Sequence, residues 1–193
     1  MKKLPVIFFV LVFVSNIMGQ DIERKGFIGM TIGPSFPYGE FADKNNYYDG
    51  YAETGLNINL LTFGYKIWKN VGVTGSWFGI ANPTDYYGNE GMWGVGAIML
   101  GPLYSIPIKE RFDLDFKGMF GFVLLTKQYD NSVTSNAFGT GFEIGMMLRY
   151  DFAKKWCLMT NLETVNTKLD IQPDRDPKIS IINLSFGIAY RLK

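Results

Sequence analysis

The 193 residues carry 19 basic and 18 acidic side chains, a net charge of +1, so no general electrostatic attraction draws the chain to nucleic acid. There is no histidine and one cysteine, Cys157. This excludes Ser–His–acid hydrolysis, zinc sites of the His/Cys type and an intramolecular disulfide. Hydrophobic residues make up 47% of the chain, but past the N-terminal segment none of their runs is long enough for a membrane-spanning helix. Any membrane span has to be built from strands closed into a barrel.

Lys2 and Lys3, an apolar run over 4–14 and a short polar stretch over 15–19 have the three regions of a secretory signal peptide. The expected domain organisation is a signal peptide at 1–19, cleaved after Gly19, and one β-barrel domain at 20–193.

Eight strands are expected in the mature chain. The first, 26–36, sets Ile28, Met30, Ile32 and Phe36 against Gly29, Thr31 and Gly33. In the second, 54–66, the apolar phase slips from Leu56, Ile58 and Leu60 to Leu61, Phe63 and Tyr65, which predicts a bulge near Leu60. The third, 71–81, carries Val71, Val73 and Trp77 in phase. The fourth, 91–106, is ambiguous: Trp93, Val95, Ala97 and Met99 suggest one parity, Ile98, Leu100, Tyr104 and Ile106 the other, and Pro102 weakens it as an unbroken strand.

The fifth is clear. Phe112, Leu114, Phe116, Phe120, Phe122 and Leu124 oppose Asp113, Asp115 and Lys117. So is the sixth, where Phe138, Phe142, Ile144, Met146, Leu148, Tyr150 and Phe152 oppose Gly139, Gly141, Glu143, Gly145, Arg149 and Asp151. The seventh, 156–168, sets Trp156, Leu158 and Leu162 against Asn161 and Glu163, with Cys157 on the inward parity as a small filler. The eighth, 180–192, alternates Ile182, Leu184, Phe186, Ile188, Tyr190 and Leu192 with Asn183, Ser185, Gly187, Ala189 and Arg191.

Short connections are expected at 68–70, 107–111 and 153–155, and long polar ones at 37–53, 82–90, 127–136 and 170–178. Such alternation belongs to up-and-down bacterial barrels. The polar parity is crowded with Gly, Ala, Ser and Thr, which suits a narrow lumen better than a water-facing surface. Aromatic residues gather at the strand ends: Tyr65, Trp68, Phe112, Tyr150, Phe152, Trp156 and Tyr190 at one, Phe36, Phe78 and Phe138 at the other. They read as two interfacial girdles. The apolar parity is therefore expected to face lipid and the lining to be small and hydrophilic.

Eight charged residues then point inward. Asp113, Asp115, Arg149, Asp151 and Arg191 belong near the short-turn end; Lys117, Glu143 and Glu163 lie higher. Buried charges need partners, so an interior polar network is expected in which Lys117 faces Glu143 or Glu163. The loops are rich in tyrosine, and Tyr47, Tyr48, Tyr86 and Tyr87 are candidates for surface contact, while Tyr51 and Tyr129 read as girdle anchors. The spaced glycines at 72–79 and 139–145 lack the strand-to-helix setting of a phosphate loop, and the acidic segment 170–176 lacks calcium-loop spacing. No catalytic, metal-ligating or cofactor-binding set is found.

The Gly-rich first strand over 26–34, the Gly19-Gln20 junction and the closing Phe186-Gly187-Ile188-Ala189-Tyr190-Arg191-Leu192 resemble the small outer membrane protein beta-barrel domain family, that of the transmembrane domain of outer membrane protein A and of outer membrane protein X. The resemblance implies an all-β barrel of about eight to ten strands without catalytic activity. The expected protein is an integral barrel of the bacterial outer membrane with extracellular loops and periplasmic termini, of structural or surface-interaction type. Its expected partners are outer-membrane lipid and lipopolysaccharide, the barrel-assembly machinery and an extracellular partner of the loops. A narrow porin or transporter of small or apolar solutes is the alternative, and a soluble periplasmic lipocalin-like barrel a further one.

Overall fold

A strand sends successive side chains to two opposite faces, and a sheet with an apolar outer face can hide all its backbone polar groups only by closing on itself. The computed structural model, which describes residues 25–45, 50–86, 88–129, 132–167 and 178–192, does so. Eight strands form one closed barrel: β1 (Gly26–Pro37), β2 (Gly55–Trp68), β3 (Val71–Tyr86), β4 (Asn89–Lys109), β5 (Phe112–Tyr129), β6 (Ser132–Asp151), β7 (Trp156–Thr167) and β8 (Ile179–Leu192). Each pairs antiparallel with the next, and β8 closes on β1 through Gly26↔Leu192 to Pro37↔Ile181. The expected signal segment, 1–19, lies outside the described residues.

The apolar parity faces outward. Phe120 is 63% exposed and Ile98 62%, whereas Val123 and Met147 on the other parity are wholly buried. Met30, Ile32, Leu100, Phe122, Ile144 and Phe186 continue the outer belt around the barrel. Water tolerates contiguous apolar patches of only a few hundred Å², so this surface requires hydrocarbon around it. The shortest strands have 12 residues, enough for a tilted membrane crossing, which takes ~9–11. Replacing Phe120 with Arg is expected to cost about 2–4 kcal/mol near the bilayer midplane, read as a lowered urea midpoint in lipid vesicles. No change in that midpoint would mean that Phe120 does not meet the acyl chains.

The phase slip in β2 is a bulge. Pairing jumps from Gly29↔Thr62 to Thr31↔Asn59 on one side and from Asn59↔Phe78 to Leu61↔Trp77 on the other. The extra residue lets Leu56, Ile58, Phe63 and Tyr65 all stay outside. The ambiguity of β4 is resolved by its neighbours. Trp93, Val95, Ala97, Met99 and Leu103 are buried inside, and Ile98, Leu100 and Tyr104 are exposed outside. Pro102 does not end this strand. It is exposed, it pairs with Val73 of β3, and the β4–β5 ladder runs on in the same register from Leu100↔Phe120 to Leu103↔Lys117.

Three sequence expectations are corrected. The segments 82–90 and 127–136 are not long loops. The β3–β4 ladder extends through Asp85↔Glu90 to Tyr86↔Asn89, and the β5–β6 ladder to Tyr129↔Ser132. Polar residues hide these extensions from a hydropathy reading, but cross-strand hydrogen bonding carries them. At the β3–β4 turn Gly88 takes a φ of +85° and donates its N–H to Asp85 Oδ1 at 2.8 Å. Second, Phe78 is 2% exposed and points into the barrel instead of joining the girdle, because Trp77 holds the outward position. Third, Tyr51, expected as a girdle anchor, is buried at the barrel mouth with a φ of 53°. On the outer surface the Phe112 and Tyr150 rings lie 4.8 Å apart, Trp156 and Tyr190 meet edge-to-face at 5.4 Å, and Phe122 stacks on Phe138 at 5.7 Å; the side chain of Tyr129 lies outside the described residues.

Candidate functional site

Among the described residues, charged, polar and aromatic side chains from all eight strands converge in the lumen. It has three levels. At the short-turn end β5 offers Asp113 and Asp115, β6 Arg149 and Asp151, and β8 Arg191. Arg149 donates from Nε to Asp115 Oδ2 at 2.6 Å and from Nη2 to Asp115 Oδ1 at 3.1 Å, a two-pronged grip. Its Nη2 also donates to Ser105 Oγ at 3.2 Å and lies 3.3 Å from Asp113 Oδ2. The guanidinium stacks 4.5 Å over the Phe27 ring. Arg191 donates to Asp151 and approaches Asp113 at 3.8 Å. Phe27, Leu103, Met147, Cys157, Met159 and Ala189 pack around this cluster.

Above it Lys117 is held between two carboxylates, Glu163 at 2.5 Å and Glu143 at 2.9 Å. All three side chains are at most 2% exposed. The local cause is register. Lys117 pairs with Gly145, and Gly145 with Glu163, so the three lie in one row across β5, β6 and β7. Glycine in the middle leaves the crossing open: a Cβ at Gly145 would meet Glu163 Cγ at 2.9 Å. Thr31, Ser185 and Asn59 share hydrogen bonds of 3.0 Å at the same polar belt. The buried side-chain amides of Asn57 and Asn161 have no hydrogen-bond partner among the described residues.

The third level is apolar, which corrects the expectation of a lining that is small and hydrophilic throughout. Phe78, Ile80, Trp93, Val95, Met99, Val123, Leu125, Val165, Ile179 and Ile181 pack with Phe41 into a single core. Phe41 comes from the loop after β1, at the end of a short 3-10 turn, Gly39–Phe41, and is fully buried. Its ring meets Trp93 edge-on at 5.6 Å. The loop is tied down by its backbone. Gly50 O accepts from Trp93 Nε1 at 2.7 Å and from Thr84 Oγ1 at 3.2 Å, Ala52 N–H donates to Phe41 O at 3.0 Å, and Asn82 Nδ2 donates to Glu53 O at 2.8 Å. Only glycine fits at position 50, where a Cβ would lie 2.3 Å from Phe41 O. Lys127 Nζ sits 4.5 Å over the outer face of this plug, on the Trp93 ring.

All eight charged residues named from the sequence thus lie in the lumen, in two groups of five and three. Of the loop tyrosines, Tyr86 ends β3 opposite Asn89, and Tyr47, Tyr48 and Tyr87 lie outside the described residues. Ser105, Phe27, Phe41 and Trp93 are the contributors that sequence reading missed. Phe41 gave no periodic signal, being an isolated aromatic in a polar loop. Among the described residues no group of three metal-ligating side chains occurs. Outside the strands, the Tyr38 hydroxyl at the mouth meets Thr164 Oγ1 at 3.1 Å and donates to Asn166 at 3.2 Å; the Thr164 contact chiefly holds its phenol below the ordinary value.

The geometry, a closed up-and-down barrel of eight strands with apolar outside and filled inside, is the fold of the small outer-membrane barrels. Among solved structures the chain is similar to Neisserial surface protein A, with a TM-score of 0.62 and 10% identity over 86% of this chain and 97% of that one. It is also similar to Ail, the attachment invasion locus protein of Yersinia pestis, in complex with the heparin analogue sucrose octasulfate, with a TM-score of 0.53 and 16% identity over 87% and 99% of the two chains. By sequence the chain matches no family model and no curated protein.

Proposed function

We propose that this chain is an integral protein of the bacterial outer membrane that anchors a surface-exposed loop set, without catalysis and without conducting solutes. The observation that carries this reading is the filled lumen. An ion-paired layer closes one end, and an apolar core sealed by Phe41 closes the other. Eight-stranded barrels are narrow enough for side chains to fill them. The absence of histidine supports the non-catalytic part. In planar bilayers the reconstituted protein is expected to give no steady conductance; stable open steps of fixed size would favour a pore instead.

We place the termini in the periplasm and the 38–54 and 168–178 loops outside the cell, with lipopolysaccharide around them, an extracellular partner on them, and the assembly machinery needed for insertion. By sequence the segments 38–54, 82–90, 127–136 and 168–178 at that end carry Glu40, Asp43, Asp49, Glu53, Asp85, Glu90, Asp130, Asp170, Asp174 and Asp176 against Lys44, Lys127, Lys168, Arg175 and Lys178. That sign disfavours a polyanion of the kind captured on Ail and favours a neutral or cationic partner. Protease treatment of intact cells is expected to cut the loops while the short turns stay protected. Cleavage at the short turns alone would reverse the orientation.

A further inference from the structure

The end of the barrel with the short turns carries a charge distribution that the lumen does not use. Lys69, Lys109, Arg111, Lys154 and Lys155 are all exposed there, with Glu110 as the acidic residue among them. None of the five has an ion-pair partner among the described residues. They are spread around the circumference, in the β2–β3, β4–β5 and β6–β7 turns. Each turn is pinned to a neighbouring strand by its backbone: Ser105 N–H donates to Asn70 O at 2.7 Å, Asp151 N–H to Arg111 O at 2.8 Å and Arg191 N–H to Lys155 O at 2.9 Å. The basic side chains thus stand on a rigid ring.

The same ring carries the aromatic belt. Trp68 is 70% exposed beside Lys69, whose ammonium lies 5.8 Å from the indole, and Trp156 and Phe152 flank Lys154 and Lys155. Exposed tryptophan and tyrosine take the headgroup level of a bilayer, so the five cations sit at phosphate depth. The whole chain has a net charge of only +1, which means that attraction to anionic lipid can come only from this local segregation. We propose that the short-turn rim is a binding surface for the headgroups of anionic phospholipids in the leaflet it meets, with the phosphates held by Lys69, Lys109, Arg111, Lys154 and Lys155 and the glycerol backbones resting on the aromatic belt.

The inference rests on the membrane-spanning reading, and the test separates the two. The full chain is first reconstituted in phosphatidylcholine vesicles, where heat-modifiable migration shows whether the barrel inserts. Boundary lipid is then measured with spin-labelled phosphatidylglycerol and spin-labelled phosphatidylcholine. The protein is expected to prefer phosphatidylglycerol by about threefold or more at low salt, since each basic residue near the surface adds to the attraction, and to lose the preference as salt rises. A variant with all five residues changed to Gln is expected to insert equally well and show no preference. Lys44→Gln with Lys178→Gln, at the opposite end, is expected to keep it. Equal preference in the wild type and the fivefold variant overturns the proposal. So does equal loss in the opposite-end variant, which would make net charge the cause. Displacement by inorganic phosphate at matched ionic strength also overturns it, because the site would then take free anions and not lipid.

Discussion

Lys117→Met is expected to lower the stability of the folded barrel by about 3–5 kcal/mol, read from urea unfolding in phospholipid vesicles. Lys117 is the cation that Glu143 and Glu163 share at 2.9 and 2.5 Å, and all three are sealed from solvent. Removing it leaves two carboxylates in a space that offers them no replacement charge. Burying a charge pair contributes little by itself, but breaking one leaves an uncompensated charge, which is costly. The companion variant Lys117→Met with Glu143→Gln and Glu163→Gln is therefore expected to recover a large part of the loss. If Lys117→Met unfolds at the wild-type midpoint, the three side chains do not stabilise the barrel as a unit. If the triple variant is as weak as the single one, the loss comes from packing and not from charge.

Phe41→Ala is expected to release the loop after β1 from the mouth. A buried phenylalanine truncated to alanine costs about 3–5 kcal/mol, and here the cost falls on docking of the loop more than on the strand ladders. Trp93 then loses its edge-on partner at 5.6 Å, and the bond from its indole to Gly50 O at 2.7 Å is strained by the same release. Proteolysis within 38–54 should become much faster, and Trp93 should become accessible to acrylamide in a variant whose other tryptophans are Phe. The barrel itself should keep its heat-modifiable migration. A loop as protease-resistant as in the wild type would mean that its backbone hydrogen bonds suffice and that Phe41 is incidental.

How much of this was legible in the sequence follows from the range of each interaction. The outward face of β5, β6 and β8 could be read residue by residue, because alternation is a property of the strand backbone alone. The bulge at Leu60 was visible for the same reason: one extra residue reverses the parity of everything after it. In β4 both parities are apolar, since one meets lipid and the other meets the plug. A hydropathy pattern cannot distinguish those two apolar surroundings. The ends of β3 to β6 are not legible in the sequence, because polar, aqueous hairpins have the composition of loops and are held by ladder hydrogen bonds to a neighbour. Phe78 and Trp77 are neighbours on one strand, so one of the two has to turn inward, and only the packing inside the barrel selects Phe78.

The amino-acid order by itself determined the number of strands, the closure into a barrel and the eight charges on the inward parity. Each of these follows from a period of two and from the need to satisfy every backbone polar group within the sheet. Only the tertiary structure decided that Lys117 reaches across Gly145 to Glu163, that Arg149 grips Asp115, and that Phe41 folds back to seal the mouth. Those outcomes depend on the stagger between neighbouring strands and on which walls of the lumen face one another, and a distance across a barrel is written in no single strand.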